Sequence, residues 1–135
     1  MSSNASWATE PGAEQEPRVT IWFKLEQLPE PAAAEGLDAA AVSRGQALFQ
    51  RDDVACATCH GGPQYTNNQL VDVGTGGMFV TPSLLGVGLR SPIFHDGCAK
   101  TVALRFGVCG GSAHGKPELL TAAEQADLTV FLRSL

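Results

Sequence analysis

Cys56, Cys59 and His60 stand together in the run Cys56-Ala57-Thr58-Cys59-His60. Two residues between the thiols let one helical turn carry both sulfurs to the same edge of a flat ligand. The imidazole that follows then falls beneath that ligand's centre. This is the spacing that attaches a c-type haem. Each sulfur forms a thioether to a vinyl group, and His60 offers a neutral imidazole to the iron as proximal ligand. Two other chemistries use the same thiol spacing. A thioredoxin-like dithiol needs a βαβ setting, which is missing around these residues. A zinc site needs ligands beyond Cys56, Cys59 and His60, and no second C-x-x-C or H-x-x-x-H pairs with this one. The expectation is one haem c, bound covalently by Cys56 and Cys59, with its iron on His60.

The opposite face of the iron has rival candidates. His114 lies in Gly110-Gly111-Ser112-Ala113-His114-Gly115, where glycines on both sides would let the backbone come close to a ligand. Met78 is the only methionine besides Met1, and a thioether ligand would raise the reduction potential. His114 is the preferred distal ligand and Met78 the alternative. Arg90 and Arg105 are candidates to neutralise the carboxylates of a haem, although a solvated surface arginine is an equally ordinary reading. By resemblance to cytochromes c, where a proline carbonyl after C-x-x-C-H accepts the N–H of the proximal imidazole, Pro63 is expected to orient His60.

The elements that must position these residues are mostly helical. Asp38 is a good N-cap for a helix reaching about Arg51, with Val42, Gly45, Leu48 and Phe49 on one face. The haem motif follows directly. Residues 61–77, rich in Gly, Asn, Thr and Pro, read as loop. Short helices are expected over Pro82–Val87 and Ala99–Phe106, then a Gly-rich loop over Gly107–Pro117. Thr121-Ala122-Ala123-Glu124 fits a capping box that opens a last helix with the stripe Ala126, Leu128, Val130, Phe131 and Leu135. Ahead of all this, residues 1–36 read as a tail. It comprises a mobile Ser/Glu/Pro-rich stretch to residue 17, a β-prone Arg18–Leu28, and a Pro/Ala linker. The functional domain is residues 37–135.

Length and charge bound the rest. A chain of 135 residues makes one domain with a real core. Its net charge of −5 argues against nucleic acid or an anionic membrane as partner. No run is long enough to make a transmembrane helix. Haem attachment and disulfides belong to oxidising compartments, which points to a periplasmic or extracellular protein. Met1–Ser6 has neither the basic nor the apolar region of a signal peptide, so the chain reads as a processed form or a domain of a longer one.

This layout resembles class I cytochrome c. There an N-terminal helix with a G-x-x-x-F pattern, here Gly45 and Phe49, crosses a C-terminal helix with an aromatic residue, here Phe131. The middle is more specific. Phe79-Val80-Thr81-Pro82-Ser83-Leu84 followed by Pro92-Ile93-Phe94-His95-Asp96-Gly97 resembles the C-terminal, electron-transferring haem domain of bacterial di-haem cytochrome c peroxidases. With Cys56–Gly62, the match covers residues 38–135. The resemblance implies a helical fold around one covalent haem, with long Gly-rich loops. It differs in two respects. Those peroxidases carry two haems, and this chain has one C-x-x-C-H. Their distal Met, or Tyr in some members, falls at the position of Cys109. A Cys98–Cys109 disulfide is the favoured state of that residue over iron ligation. His95 reads as structural, bonded within its turn or to a haem carboxylate.

The expected function is single-electron transfer between transient redox partners. The alternatives are a peroxidase-like enzyme with an open or displaceable distal site, and the electron-transfer domain of a larger haem protein with a neighbouring domain missing here.

Overall fold

The computed structural model describes residues 34–135. The readings made on residues 1–33, including the β-prone Arg18–Leu28, lie outside the described residues. Helix α1 runs Ala39–Phe49 and opens where expected, with the Asp38 carboxylate accepting the Ala40 N–H at 2.9 Å. Helix α2 is the single turn Cys56–Cys59. Strands β1 (Leu70–Asp72) and β2 (Met78–Val80) form an antiparallel hairpin with Val71 opposite Phe79. Four short 3-10 turns follow, among them Val87–Leu89 and Val102–Phe106, before α3 over Ala122–Ser134. Thr121 caps α3 in a full capping box. Its hydroxyl accepts the Glu124 N–H, and the Glu124 carboxylate accepts the Thr121 N–H at 2.8 Å.

The domain is thus partly helical with a short sheet. Several expected elements change form. The Gly-rich stretch 61–77 contains β1 rather than loop alone. Pro82–Leu84 forms no regular element, Leu85 and Gly86 make a turn, and the 3-10 helix begins only at Val87, after Gly86 at φ 68°. Ala99–Phe106 narrows to a 3-10 turn. Isolated apolar segments this short lack the length to stabilise an α-helix by themselves.

Helices α1 and α3 cross at Gly45. A β-carbon there would sit 2.6 Å from Cβ of Phe131 and press on the Asp127 carbonyl, so only glycine admits the contact. Phe49 and Phe131 then meet with ring centroids 5.3 Å apart, and Tyr65 packs edge-on against both. Burying each such ring contributes about 1.5–3 kcal/mol. Leu48, Val54, Leu128 and Leu132 complete the crossing, with Val87 and Val102 beneath. On α3 the buried residues are Leu128, Phe131 and Leu132, whereas Ala126 of the expected stripe is exposed. The polar rim of the crossing is tied by Arg44 and Asp127 at 2.7 Å.

Candidate functional site

A cavity of about 540 Å³ opens under the crossing helices. Its size lies within the roughly 300–1,000 Å³ of cofactor sites. Cys56, Cys59 and His60 form one wall, and His114 lies on the lining as well. Each arrives there for a local reason.

The α2 turn starts from Ala55 in the left-handed conformation, φ 63°, which swings the chain sharply out of α1. One turn later the backbone N–H of His60 donates to the Cys56 carbonyl at 3.0 Å. Both thiols, unbridged and half-buried, therefore face the cavity beside the imidazole. His60 is buried, and its Nδ1 lies 3.1 Å from the Tyr65 carbonyl. That carbonyl can only accept, so Nδ1 carries the proton and Nε2 keeps its lone pair free. The carbonyl of Tyr65, at φ 50°, thus orients the ring in place of the expected Pro63.

His114 is brought in by a loop stitched at both ends. The Ala113 N–H donates to the Val73 carbonyl at 3.1 Å, and the Lys116 N–H to the Val54 carbonyl at 3.0 Å. Gly111 (φ 76°) and Gly115 (φ 66°) make these approaches possible, because a side chain at either would collide with the carbonyl it faces. The imidazoles of His60 and His114 stand with centroids 6.1 Å apart and planes tilted by 41°. Two imidazoles sharing one metal from opposite sides, each through a bond of about 2 Å, have centroids about 6 Å apart. Nδ1 of His114 is buried without a hydrogen-bond partner.

Electrostatics keep both rings neutral. Burial lowers the His60 pKa, against the opposing pull of the Tyr65 and Pro82 carbonyls. Burial, then the Arg105 charge, then His60 itself push His114 down to about 4. Neutral imidazoles are the form that ligates a metal. Burial also raises the Cys56 thiol pKa.

The remaining lining is apolar on one side, with Val71, Val73, Phe79, Leu84, Val87 and Ile93 among it. Val71, Val73 and Thr75 alternate along the chain and all face inward. That period of two marks a half-covered strand. It lay in the sequence behind the glycines and asparagines that suggested loop. Phe94 enters from the turn at φ 71° and meets the His114 ring edge-on at 5.8 Å.

Other expected residues take different places. Met78 points outward, 55% exposed, and does not line the cavity. Cys109 is bridged to Cys98, so it offers no thiolate to a metal. His95 stacks on Phe79 with centroids 4.1 Å apart, and in the turn's own side-chain hydrogen bond the Cys98 N–H donates to the Asp96 carboxylate at 3.0 Å. Arg90 reaches the Ser83 carbonyl at 2.5 Å, while Arg105 donates to the carbonyl of His114. Among the described residues no three His, Cys, Asp or Glu side chains converge as a metal cage. No described helix is long and apolar enough to cross a membrane.

No protein-family model matches the chain, and no curated protein matches it in sequence. Among solved structures it is similar to a hydrazine synthase chain from Kuenenia stuttgartiensis, determined under 20 bar of xenon. The TM-score is 0.71 at 22% identity over 80% of this chain. The likeness is one of fold. The match takes in 51% of the neighbour, so this chain spans about half of that one's length.

Proposed function

We propose that residues 37–135 are a class I cytochrome c-like domain that holds one covalent haem c and passes single electrons between redox proteins. The observation that carries this reading is the pair His60 and His114 facing across one cavity whose wall also bears both thiols of the C-x-x-C-H turn. The residues fit the group in kind. The thiols are reduced and on the cavity wall, the proximal ring keeps an unprotonated nitrogen, and the distal ring is buried with no competing bond at Nδ1. When bound, the haem supplies an iron that alternates between ferric and ferrous states.

The chain's own part is to hold and shield. Cys56 and Cys59 anchor the group. His60, steered by the Tyr65 carbonyl, takes the proximal side. His114 takes the distal side on a loop pinned to Val54 and Val73. With both sides taken by protein, the site favours electron transfer over substrate chemistry. The partners would be other redox proteins met over a small surface, and an oxidising compartment such as the periplasm suits both thioether formation and the Cys98–Cys109 bridge. A second setting, as the electron-transfer domain of a larger haem protein, is favoured by the length of the neighbouring chain, twice the part matched.

The test is a spectrum of the ferric and ferrous protein after expression with haem maturation, with intact mass to show covalent attachment. The expected result is a mass increased by one haem and a low-spin spectrum that carbon monoxide leaves unchanged. A high-spin spectrum with prompt carbon monoxide binding would mean an open site and make the peroxidase-like alternative the leading reading. A mass without haem would remove both.

A further inference from the structure

Two of the five arginines among the described residues pair with acids, and both of these reach into water. They are Arg44, with Asp127 at 2.7 Å, and Arg51, with Asp53 at 2.6 Å. Arg90 is exposed and is spent on the Ser83 carbonyl. Arg90 and Arg105 both line the cavity, and Arg105 is the more buried of the two; Glu118 is near enough to act on its charge, but no carboxylate among the described residues lies within ion-pair distance of it. Solvent would ordinarily favour the reverse, because a charge taken out of water needs a counter-charge more than an exposed one does.

The position of Arg105 is specific. It leaves the 3-10 turn Val102–Phe106 and threads between Gly110 and Gly115. A β-carbon at Gly110 would sit 3.6 Å from Nη1, and one at Gly115 would sit 3.6 Å from Nη2. Nη2 donates to the carbonyl of His114. The charge acts on Cys56, His60 and His114 alike, so it stands close to all three groups that hold the cofactor. One arm of the guanidinium fork is therefore committed to the distal loop. The other N–H groups are not sealed in protein, since His114 Nδ1 is the one buried side-chain polar atom left without a partner among the described residues. Arg105 lines the cavity, so its guanidinium stands at the wall of whatever fills it.

We infer that Arg105 is the counter-ion of a carboxylate on the bound cofactor, and that it ties this carboxylate to the distal ligand through the His114 carbonyl. The inference rests on the haem reading above, because haem carries carboxylate side chains on its rim. A planar fork matches a carboxylate through two parallel hydrogen bonds, which a lysine cannot reproduce. Arg105 is thus a positioning residue that also sets the field at the iron. Its positive charge offsets a negative one near the metal, which makes the reduced iron easier to form.

The test compares haem-loaded wild type with Arg105→Gln and Arg105→Lys, reading midpoint potential by spectroelectrochemical titration. Arg105→Gln is expected to lower the potential, and Arg105→Lys to restore most of it. The thermal midpoint is followed in parallel, since a purely structural role would lower it in both variants and leave the potential where it was. Resonance Raman of Arg105→Lys, which retains the charge needed for loading, should show a shifted haem-carboxylate band. Inorganic phosphate added to wild type should leave the potential unchanged. A potential unmoved in Arg105→Gln, with haem attached and low-spin, overturns the inference alone. So does an unshifted carboxylate band in Arg105→Lys. A wild-type potential that follows phosphate would assign Arg105 to a free anion instead, and a chain that takes up no haem would overturn both this inference and the reading beneath it.

Discussion

The rings of His60 and His114 face each other at 6.1 Å across a single cavity, although one follows the α2 turn and the other sits in the loop before α3. His60 is placed by bonds to Cys56 and Tyr65, close to it in sequence, and His114 by the bonds of its neighbours Ala113 and Lys116 to the distant Val73 and Val54. That relationship makes the distal ligand a matter of loop geometry.

Replacing His114 by Ala should convert a low-spin ferric spectrum to a high-spin one and allow carbon monoxide to bind the ferrous form. Met78→Leu should leave the spectrum as it is, because Met78 is exposed and outside the cavity lining. If Met78→Leu instead abolished the low-spin signature, the distal assignment to His114 would be wrong.

Acid should release His114 late. A solvent-exposed histidine takes up its proton around 6.5, and only the neutral ring can bind iron. Burial and the nearby Arg105 and His60 lower the pKa of this ring to about 4. The sign follows from linkage. Between 6.5 and about 4 an unfolded chain binds a proton that the folded site refuses, so the folded site loses stability as pH falls through that window. The low-spin spectrum should persist from neutral pH down to about 4, and a pH titration of the visible bands checks it. Conversion complete already near neutrality would contradict the burial of the ring.

Gly45→Ala should destabilise the domain by about 1–3 kcal/mol through overpacking. The added methyl would overlap the Asp127 carbonyl and lie 2.6 Å from Cβ of Phe131, and backbone has little room to give. A chemical-denaturation midpoint reads the loss. An unchanged midpoint would mean that α1 and α3 stand further apart than described.

Removing the Cys98–Cys109 bridge as a double Ser variant should cost about 3 kcal/mol, the loop-closure value for a separation of this length. The bridge joins the Phe94–Gly97 turn to the segment that leads into His114. The variant should therefore also bind carbon monoxide more readily than wild type. Equal stability and equal resistance to carbon monoxide would show that the backbone bonds to Val54 and Val73 hold the loop without it.

The elements legible from residues alone were those governed by local rules. Asp38 and Thr121 begin their helices because a side-chain oxygen at the N-cap answers N–H groups within the next turn. Gly45 and Phe49 fall one turn apart and so mark a contact face before any partner is known. The helical turn Cys56–Cys59, with His60 directly after it, was also legible from spacing. The disulfide could be expected from two remaining cysteines in a chain suited to an oxidising compartment.

Contacts across the fold could not be read this way. The β1–β2 hairpin was hidden because its pairing depends on Val71 meeting Phe79, while the local composition resembled loop. The choice of Tyr65 over Pro63 to orient His60 turned on one left-handed residue. Met78 and His114 were comparable as sequence, a soft ligand against a glycine-flanked imidazole. Tertiary structure separated them, because Met78 falls on the outward side of a two-residue strand alternation whereas the His114 loop is hydrogen-bonded into the cavity wall. Side-chain type and spacing determined what chemistry this chain can attempt. The side of a strand and the partner of a loop are settled by long-range packing, and these decided which residues meet to perform it.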